Sequence, residues 1–249
     1  MCGSGRPHPV RRGRVLADPR RTPRLRFDGW IAGLGTSSGT RVVLGHWPRS
    51  PFGPFSDVML ERADGERLLL APSRRTADFV SGTYVFDTVR VVPVAVRVAD
   101  DTWTVTAGPL ALRFTVGRRG PLGLLLRAVP GVLAGRPAWA ALTDRPARLL
   151  PAGVRTRGSA RAGRHEWYGV RDLRPVGALS AVLEGHDLGA LAPVEPAVRF
   201  GFGSVPRRPA VVRVTTTVEQ SGRCSWFPAG PPGYPVGSQG TGGTRRGGA

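Results

Sequence analysis

The chain has 249 residues, 41% of them hydrophobic, and a formal net charge of +19, enough for one good-sized core or two small ones. No run approaches the roughly 20 apolar residues of a membrane-spanning helix, since the longest, PLGLLLRAVPGVLAG, is broken by Arg127 and Pro130, and no apolar signal segment follows the basic start, so the expected location is cytoplasmic. All 36 basic residues are arginine, with no lysine and no asparagine; this is the bias of a GC-rich genome, it makes part of the charge mutational, and it argues against reading the sum as a nucleic-acid signature.

In chain order, residues 1–24 carry seven arginines against Asp18 among Pro and Gly, too little apolar surface to offset ordering entropy, and are expected to be a disordered arm. Residues 25–218 form a single expected β-rich domain, and 219–249, rich in Gly and Pro, a second disordered end. Cys2 and Cys224 fall in those ends, without CxxC or histidine spacing, so neither a disulfide nor a zinc site is indicated.

Within the domain, DGWIAGLG, TRVVLGHW, SDVMLER, ERLLLAP, YVFDTVRVVPVAVRV, TWTVTAG and LALRFTVG are short, rich in β-branched and aromatic residues, and bounded by turn formers. Asp64-Gly65 and Asp100-Asp101 read as hairpin turns. SRRTADFVSG reads as a helix capped by Ser73, with Arg74 and Arg75 poorly placed for its dipole. PLGLLLRAVPGVLAG and RPAWAALTDRPARLL predict a helical insertion near 121–150, interrupted at Pro130 and Pro146. Strands resume at RHEWYGVRDL, LSAVLEG, AVRFGFGS and AVVRVTTTV. The fold class expected is mainly β, an antiparallel barrel or strongly bent sheet.

Two segments concentrate chemistry-bearing side chains. In GHWPRSPFGPFSD, residues 45–57, alternation sets Val42, Leu44 and His46 on one strand face and Val43, Gly45 and Trp47 on the other, with Asp57 as the carboxylate that would orient His46. Prolines 48, 51 and 54 predict a stiff Ω-like loop presenting Arg49 and Ser50 to a carboxylate or phosphate. In RHEWYGVRD, residues 164–172, alternation puts Glu166, Tyr168 and Asp172 on one face and Trp167 and Arg171 on the other, so that Tyr168 would donate a hydrogen bond and a carboxylate would act as base. The adjacent His165 and Glu166 point apart. Gly-His-Asp at 185–187 reads as a turn, and RFGFGS as a strand with Phe200 and Phe202 in the core. No nucleophile elbow, HExxH, Walker loop or dinucleotide fingerprint is present, and Gly33 and Gly35 belong to a hairpin rather than to a GxGxxG.

GHWPRSPFGPFSDVMLER, RHEWYGVRDL and RFGFGS together resemble a set of uncharacterised proteins from high-GC actinobacteria, over roughly residues 25–218, a resemblance that implies no activity. Gly29-Trp30 resembles the Gly-x-Trp opening of lipocalin-type barrels, one residue short in spacing, and bears on fold alone.

The reading that follows is a small-molecule-binding β-barrel-like protein whose ligand, apolar or carboxylate-bearing, meets His46, Trp47, Arg49, Ser50, Tyr168 and Arg171. The alternative is an acid–base enzyme of lyase, cyclase, isomerase or decarboxylase type in the same pocket, with His46, Asp57, Glu166, Tyr168 and Asp172 as catalytic candidates. Nucleic-acid binding through the arginine surface ranks third. No cofactor, metal or membrane span is expected, and the sequence sets no oligomeric state.

Overall fold

The computed structural model describes residues 24–128, 157–158, 164–201 and 205–220. Residues 1–23 and 221–249, with Cys2 and Cys224, lie outside the described residues, as do most of the helical insertion and Phe202.

Among the described residues thirteen strands form one sheet: β1 (Arg24–Thr36), β2 (Arg41–Arg49), β3 (Phe55–Glu61), β4 (Arg67–Ala71), β5 (Thr88–Val91), β6 (Val94–Ala99), β7 (Thr102–Ala107), β8 (Leu110–Val116), β9 (Arg157–Gly158), β10 (Arg164–Leu183), β11 (His186–Asp187), β12 (Leu191–Ala192) and β13 (Ala210–Gln220). Two helices accompany them among the described residues, α1 (Arg74–Thr83) and α2 (Pro121–Ala128). The main order is β5-β4-β3-β2-β1-β13-β10-β8-β7-β6, with β12 on β1 and β9 and β11 on β10. Neighbours are antiparallel except β4 and β5, which run parallel because α1 crosses between them.

The mainly β, strongly bent sheet expected from the strand pattern is what forms. The sheet curls until β6 touches β3. Ala32, Leu34, Leu44 and Leu60 of its first half then share one core cluster with Trp103, Val105, Leu112 and Phe114 of its second. The opposite face of β1 to β4 is covered by α1, through a second cluster of Leu25, Phe27, Leu69, Phe79, Val80 and Val218. Leu68 and Leu70 serve the first cluster and Leu69 the second, so the continuous apolar run of β4 is explained by burial on both faces.

Local chemistry places α1 as the sequence reading has it. The Ser73 hydroxyl accepts from the Thr76 amide at 3.2 Å and Thr76 Oγ1 accepts from the Ser73 amide, a capping box. Arg75, unfavourable to the dipole, stacks 4.8 Å over the Phe52 ring.

Three expectations are corrected. RHEWYGVRDL and LSAVLEG are one strand, β10, because bulges after Val170 and Val176 let the chain bend without leaving the sheet. AVRFGFGS is not a strand over its described residues, although Phe200 is buried as expected. The proline-rich stretch is not an Ω-like loop: β2 runs through Pro48 to Arg49, and only residues 50–54 connect it to β3.

Candidate functional site

On β1, β2 and β3 the odd-numbered residues from Phe27 to Met59 that do not pack into the curled half point toward α1. Phe27, Ile31, Val43, Trp47, Phe55 and Met59 meet Phe79 and Val80 of α1, Tyr168 of β10, Val218 of β13, and Val198, Phe200 and Val205. They enclose a cavity of about 80 Å³. At 10–15 Å³ per water position, that admits roughly five to eight non-hydrogen atoms.

The polar groups in this lining are few. Asp57 is 4% exposed and accepts a hydrogen bond from Trp47 Nε1 at 3.1 Å. Burial pushes its carboxyl up to about 7, against the lowering effect of the indole hydrogen bond. Tyr84, the residue that closes α1, donates to Glu166 Oε2 at 2.9 Å, Tyr168 donates to the same oxygen at 2.8 Å, and the two phenol oxygens lie 2.6 Å apart. Two phenolic hydrogens serve three contacts, so the direction of donation can switch with no movement of heavy atoms. Burial and then the charge of Glu166 hold both phenols well above their ordinary range. The charge of Asp57 also reaches Tyr168, which links the two polar groups across the cavity. Thr216, 5% exposed, has a buried hydroxyl without a hydrogen-bond partner among the described residues.

Four of the expected site residues, Trp47, Asp57, Glu166 and Tyr168, therefore meet in this pocket. The others do not. His46 lies on the opposite sheet face, its ring 5.8 Å from that of Trp30 and 5.7 Å from that of Trp103. Its Nδ1 is 2.8 Å from Ser56 Oγ, and burial lowers its pKa. The pairing of His46 with Asp57 is thereby corrected: Ser56 is the cross-strand partner of His46 and Asp57 that of Gly45, and successive strand residues point to opposite faces.

Asp172 also leaves the row that contains Glu166 and Tyr168. Val170 pairs with Val214 but Asp172 with Arg213, so Arg171 is an extra residue that reverses the alternation beyond it. Asp172 then binds Arg119 at 2.8 Å. A second irregularity acts on Arg49: Trp30 pairs with His46 but Asp28 with Arg49, which turns Arg49 away from Trp47. Arg49 and Arg171 come together on the far face instead. Ser50 serves its own turn, accepting from the Phe52 amide at 3.0 Å and donating to the Gly53 carbonyl at 2.5 Å.

Sequence reasoning missed Tyr84, Thr216 and the role of Gly45. Tyr84 opens a run read as strand, where nothing marks it as a helix terminus facing β10. The signal for Thr216 was present, since three consecutive threonines in a strand must bury at least one hydroxyl on a two-sided sheet. His186 and Asp187 are exposed and form β11, which pairs back on Leu183 and Val182 beyond a turn at Glu184 and Gly185, so the turn falls before these two residues. Among the described residues no group of His, Cys, Asp or Glu gathers as a metal site, and no helix is long and apolar enough to cross a membrane.

No protein-family model and no curated protein matches the sequence. Solved structures similar to the chain include an acetoacetate decarboxylase from Legionella pneumophila, 12% identical with a TM-score of 0.36, over 84% of this chain and 92% of that one. A second acetoacetate decarboxylase structure is 8% identical with a TM-score of 0.37, over 81% of this chain and 88% of that one. Likeness at this level transfers no side-chain role.

Proposed function

We propose that this chain is a small-molecule-binding protein whose site is the pocket between α1 and the sheet. Its ligand is a compact apolar molecule with one uncharged hydrogen-bonding end, a carbonyl or a hydroxyl. One observation carries the reading: the Thr216 hydroxyl is buried without a partner among the described residues, in a cavity whose remaining walls are mostly hydrocarbon, and an orphaned buried hydroxyl costs about 1–3 kcal/mol that a ligand group can recover. Asp57 supports it, because a carboxyl with its pKa near 7 is largely uncharged below neutrality and can donate to a carbonyl. Of the two ligand classes suggested by the sequence, the apolar one is favoured over the carboxylate: the described lining includes no arginine or histidine.

The test is a thermal-shift series of small ketones, lactones and alcohols against the matched carboxylic acids. Ligand at 100 times Kd adds about 2.7 kcal/mol. Thr216→Val and Asp57→Asn are each expected to weaken binding about tenfold, and Val43→Trp, which fills the cavity, to abolish it. Absence of any shift across the neutral series, or shifts that survive Val43→Trp, would overturn the reading.

A second reading, acid–base catalysis in the same pocket, is favoured by the position of the Asp57 pKa, which matches the operating range of a general acid or base. The chain has no lysine, so no side-chain amine can form a Schiff base, and any proton transfer next to a carbonyl in this pocket falls to Asp57, Glu166 and the phenols. Exchange of solvent deuterium into a bound ketone, followed by NMR, distinguishes this from binding alone: catalysis requires exchange with a pH midpoint near that of Asp57 and its loss in Asp57→Asn.

A further inference from the structure

The sheet face away from the α1 pocket carries a groove of about 260 Å³ between β1, β2, β10 and β13, lined by Asp28, Trp30, Pro48, Arg49, Arg171 and Arg213. We propose that this groove is a second binding site, which takes a small phosphomonoester through the guanidinium groups of Arg49, Arg171 and Arg213.

The strands that present these arginines are irregular at the groove. Regular alternation would keep Arg49 beside Trp47; the irregularity that pairs Asp28 with Arg49 turns it over. Arg171 is itself the extra residue of the β10 bulge. Bulges re-aim side chains and are enriched beside functional sites, and two of them here deliver cations to one concavity. Gly29 makes the close strand approach possible, since a Cβ there would run into the His46 carbonyl.

The charge around the groove is left unbalanced. Neighbouring Arg119 and Arg174 are held by Asp172 and Asp101, whereas Arg49, Arg171 and Arg213 form no ion pair with a described residue. Arg213 instead lies 5.5 Å over the Trp30 ring. The one acid in the described lining, Asp28, already accepts from Thr215 Oγ1 at 2.6 Å and from Arg26 at 3.2 and 3.3 Å. Although burial opposes it, these hydrogen bonds and the charges of Arg26 and Arg49 keep the Asp28 carboxyl below its usual range, hence ionised. Because Asp28 is shared with Arg26, the three guanidiniums leave an excess of at least two positive charges. A carboxylate ligand would neutralise one of them. A phosphomonoester, a dianion above its second pKa of about 6, neutralises two and offers three oxygens to forked donors. Trp30 supplies an apolar wall for the ester group.

The experiment is isothermal titration calorimetry of the full chain at pH 7.5 with phenyl phosphate and with benzoate. Phenyl phosphate is expected to bind at least tenfold more tightly than benzoate. Arg171→Gln and the double variant Arg49→Gln/Arg171→Gln should each weaken it tenfold or more. Arg171→Lys, which keeps the charge and the fold but loses the fork, should weaken it several-fold. The control Arg97→Gln/Arg113→Gln removes the same charge from exposed positions on β6 and β8 and should leave binding unchanged. Equal affinity for the two probes would overturn the proposal, as would equal losses in the groove and control variants, which would mark a response to bulk charge. A DNA oligonucleotide that displaced phenyl phosphate and depended more strongly on Arg171 would also overturn it, in favour of a nucleic-acid surface.

Discussion

Gly45 and Asp57 face each other across β2 and β3, and the absence of a side chain on one is what lets the carboxyl of the other reach the Trp47 indole. A Cβ on Gly45 would stand 2.5 Å from Asp57 Oδ1 and 2.6 Å from Trp47 Nε1. Gly45→Ala is therefore expected to break the Asp57–Trp47 hydrogen bond and to destabilise the fold by about 1–3 kcal/mol, the usual cost of overpacking. Urea unfolding followed by tryptophan fluorescence measures both effects, and an unchanged midpoint would refute the arrangement.

Asp57 also sets a pH dependence. Its pKa rises from 3.8 to about 7 on folding, so between about pH 4 and pH 7 the folded chain holds a proton that the unfolded chain has released. Stability consequently falls as pH rises through that window and levels off above it. The Asp57 share is on the order of 4 kcal/mol at pH 8, from 1.36 kcal/mol per unit. Asp57→Asn, which keeps the acceptor for Trp47 and cannot ionise, is expected to gain stability relative to the parent as pH rises, with little difference near pH 4. Unfolding curves at pH 4, 6 and 8 decide it; a constant difference between the two proteins across that range would show that Asp57 does not carry the shift.

The phenol pair should behave as a unit. Tyr84→Phe and Tyr168→Phe each remove one hydroxyl from a set in which both bond Glu166 Oε2 and each other. Each is expected to cost about 1–3 kcal/mol, and the double variant to depart from the sum by at least about 0.5 kcal/mol. A double-mutant cycle on unfolding free energies measures this, and strict additivity would dissolve the network.

Beneath the pocket rim, Glu61 is fully buried and binds Arg41 at 2.8 Å, itself 4% exposed at the side chain. Its other oxygen accepts from the Arg199 amide at 2.6 Å, which ties down the segment that brings Val198 and Phe200 to the cavity. Glu61→Gln leaves the Arg41 charge uncompensated and is expected to cost about 3–5 kcal/mol. Hydrogen exchange should accelerate at the amides of Arg199 and of Val85, which donates to the Phe200 carbonyl at 2.8 Å. Arg199→Ala, at a side chain 67% exposed, should cost far less. Equal effects would mean that the buried pair is not the anchor.

The periodic features of this protein are written locally. Alternation in TRVVLGHW separated the His46 face from the Trp47 face, the unbroken apolar run of ERLLLAP matched a strand buried on both sides, and Ser73 marked the start of α1, because each depends on residues within one strand or one helical turn. Local alternation fails at a bulge, where one extra residue reverses every side chain beyond it. That is why Arg49 and Asp172 were expected in a single pocket with Tyr168 and instead lie on the far face. The meeting of Asp57 with Trp47 and of Tyr84 with Glu166 and Tyr168 was decided by tertiary structure alone. Tyr84 is 82 residues from Glu166 in the chain, and only the crossing of α1 over the sheet and the pairing of β10 with β13 bring them within a hydrogen bond. Burial followed from that closure and moved the Asp57 pKa, a property that no short stretch of sequence contains.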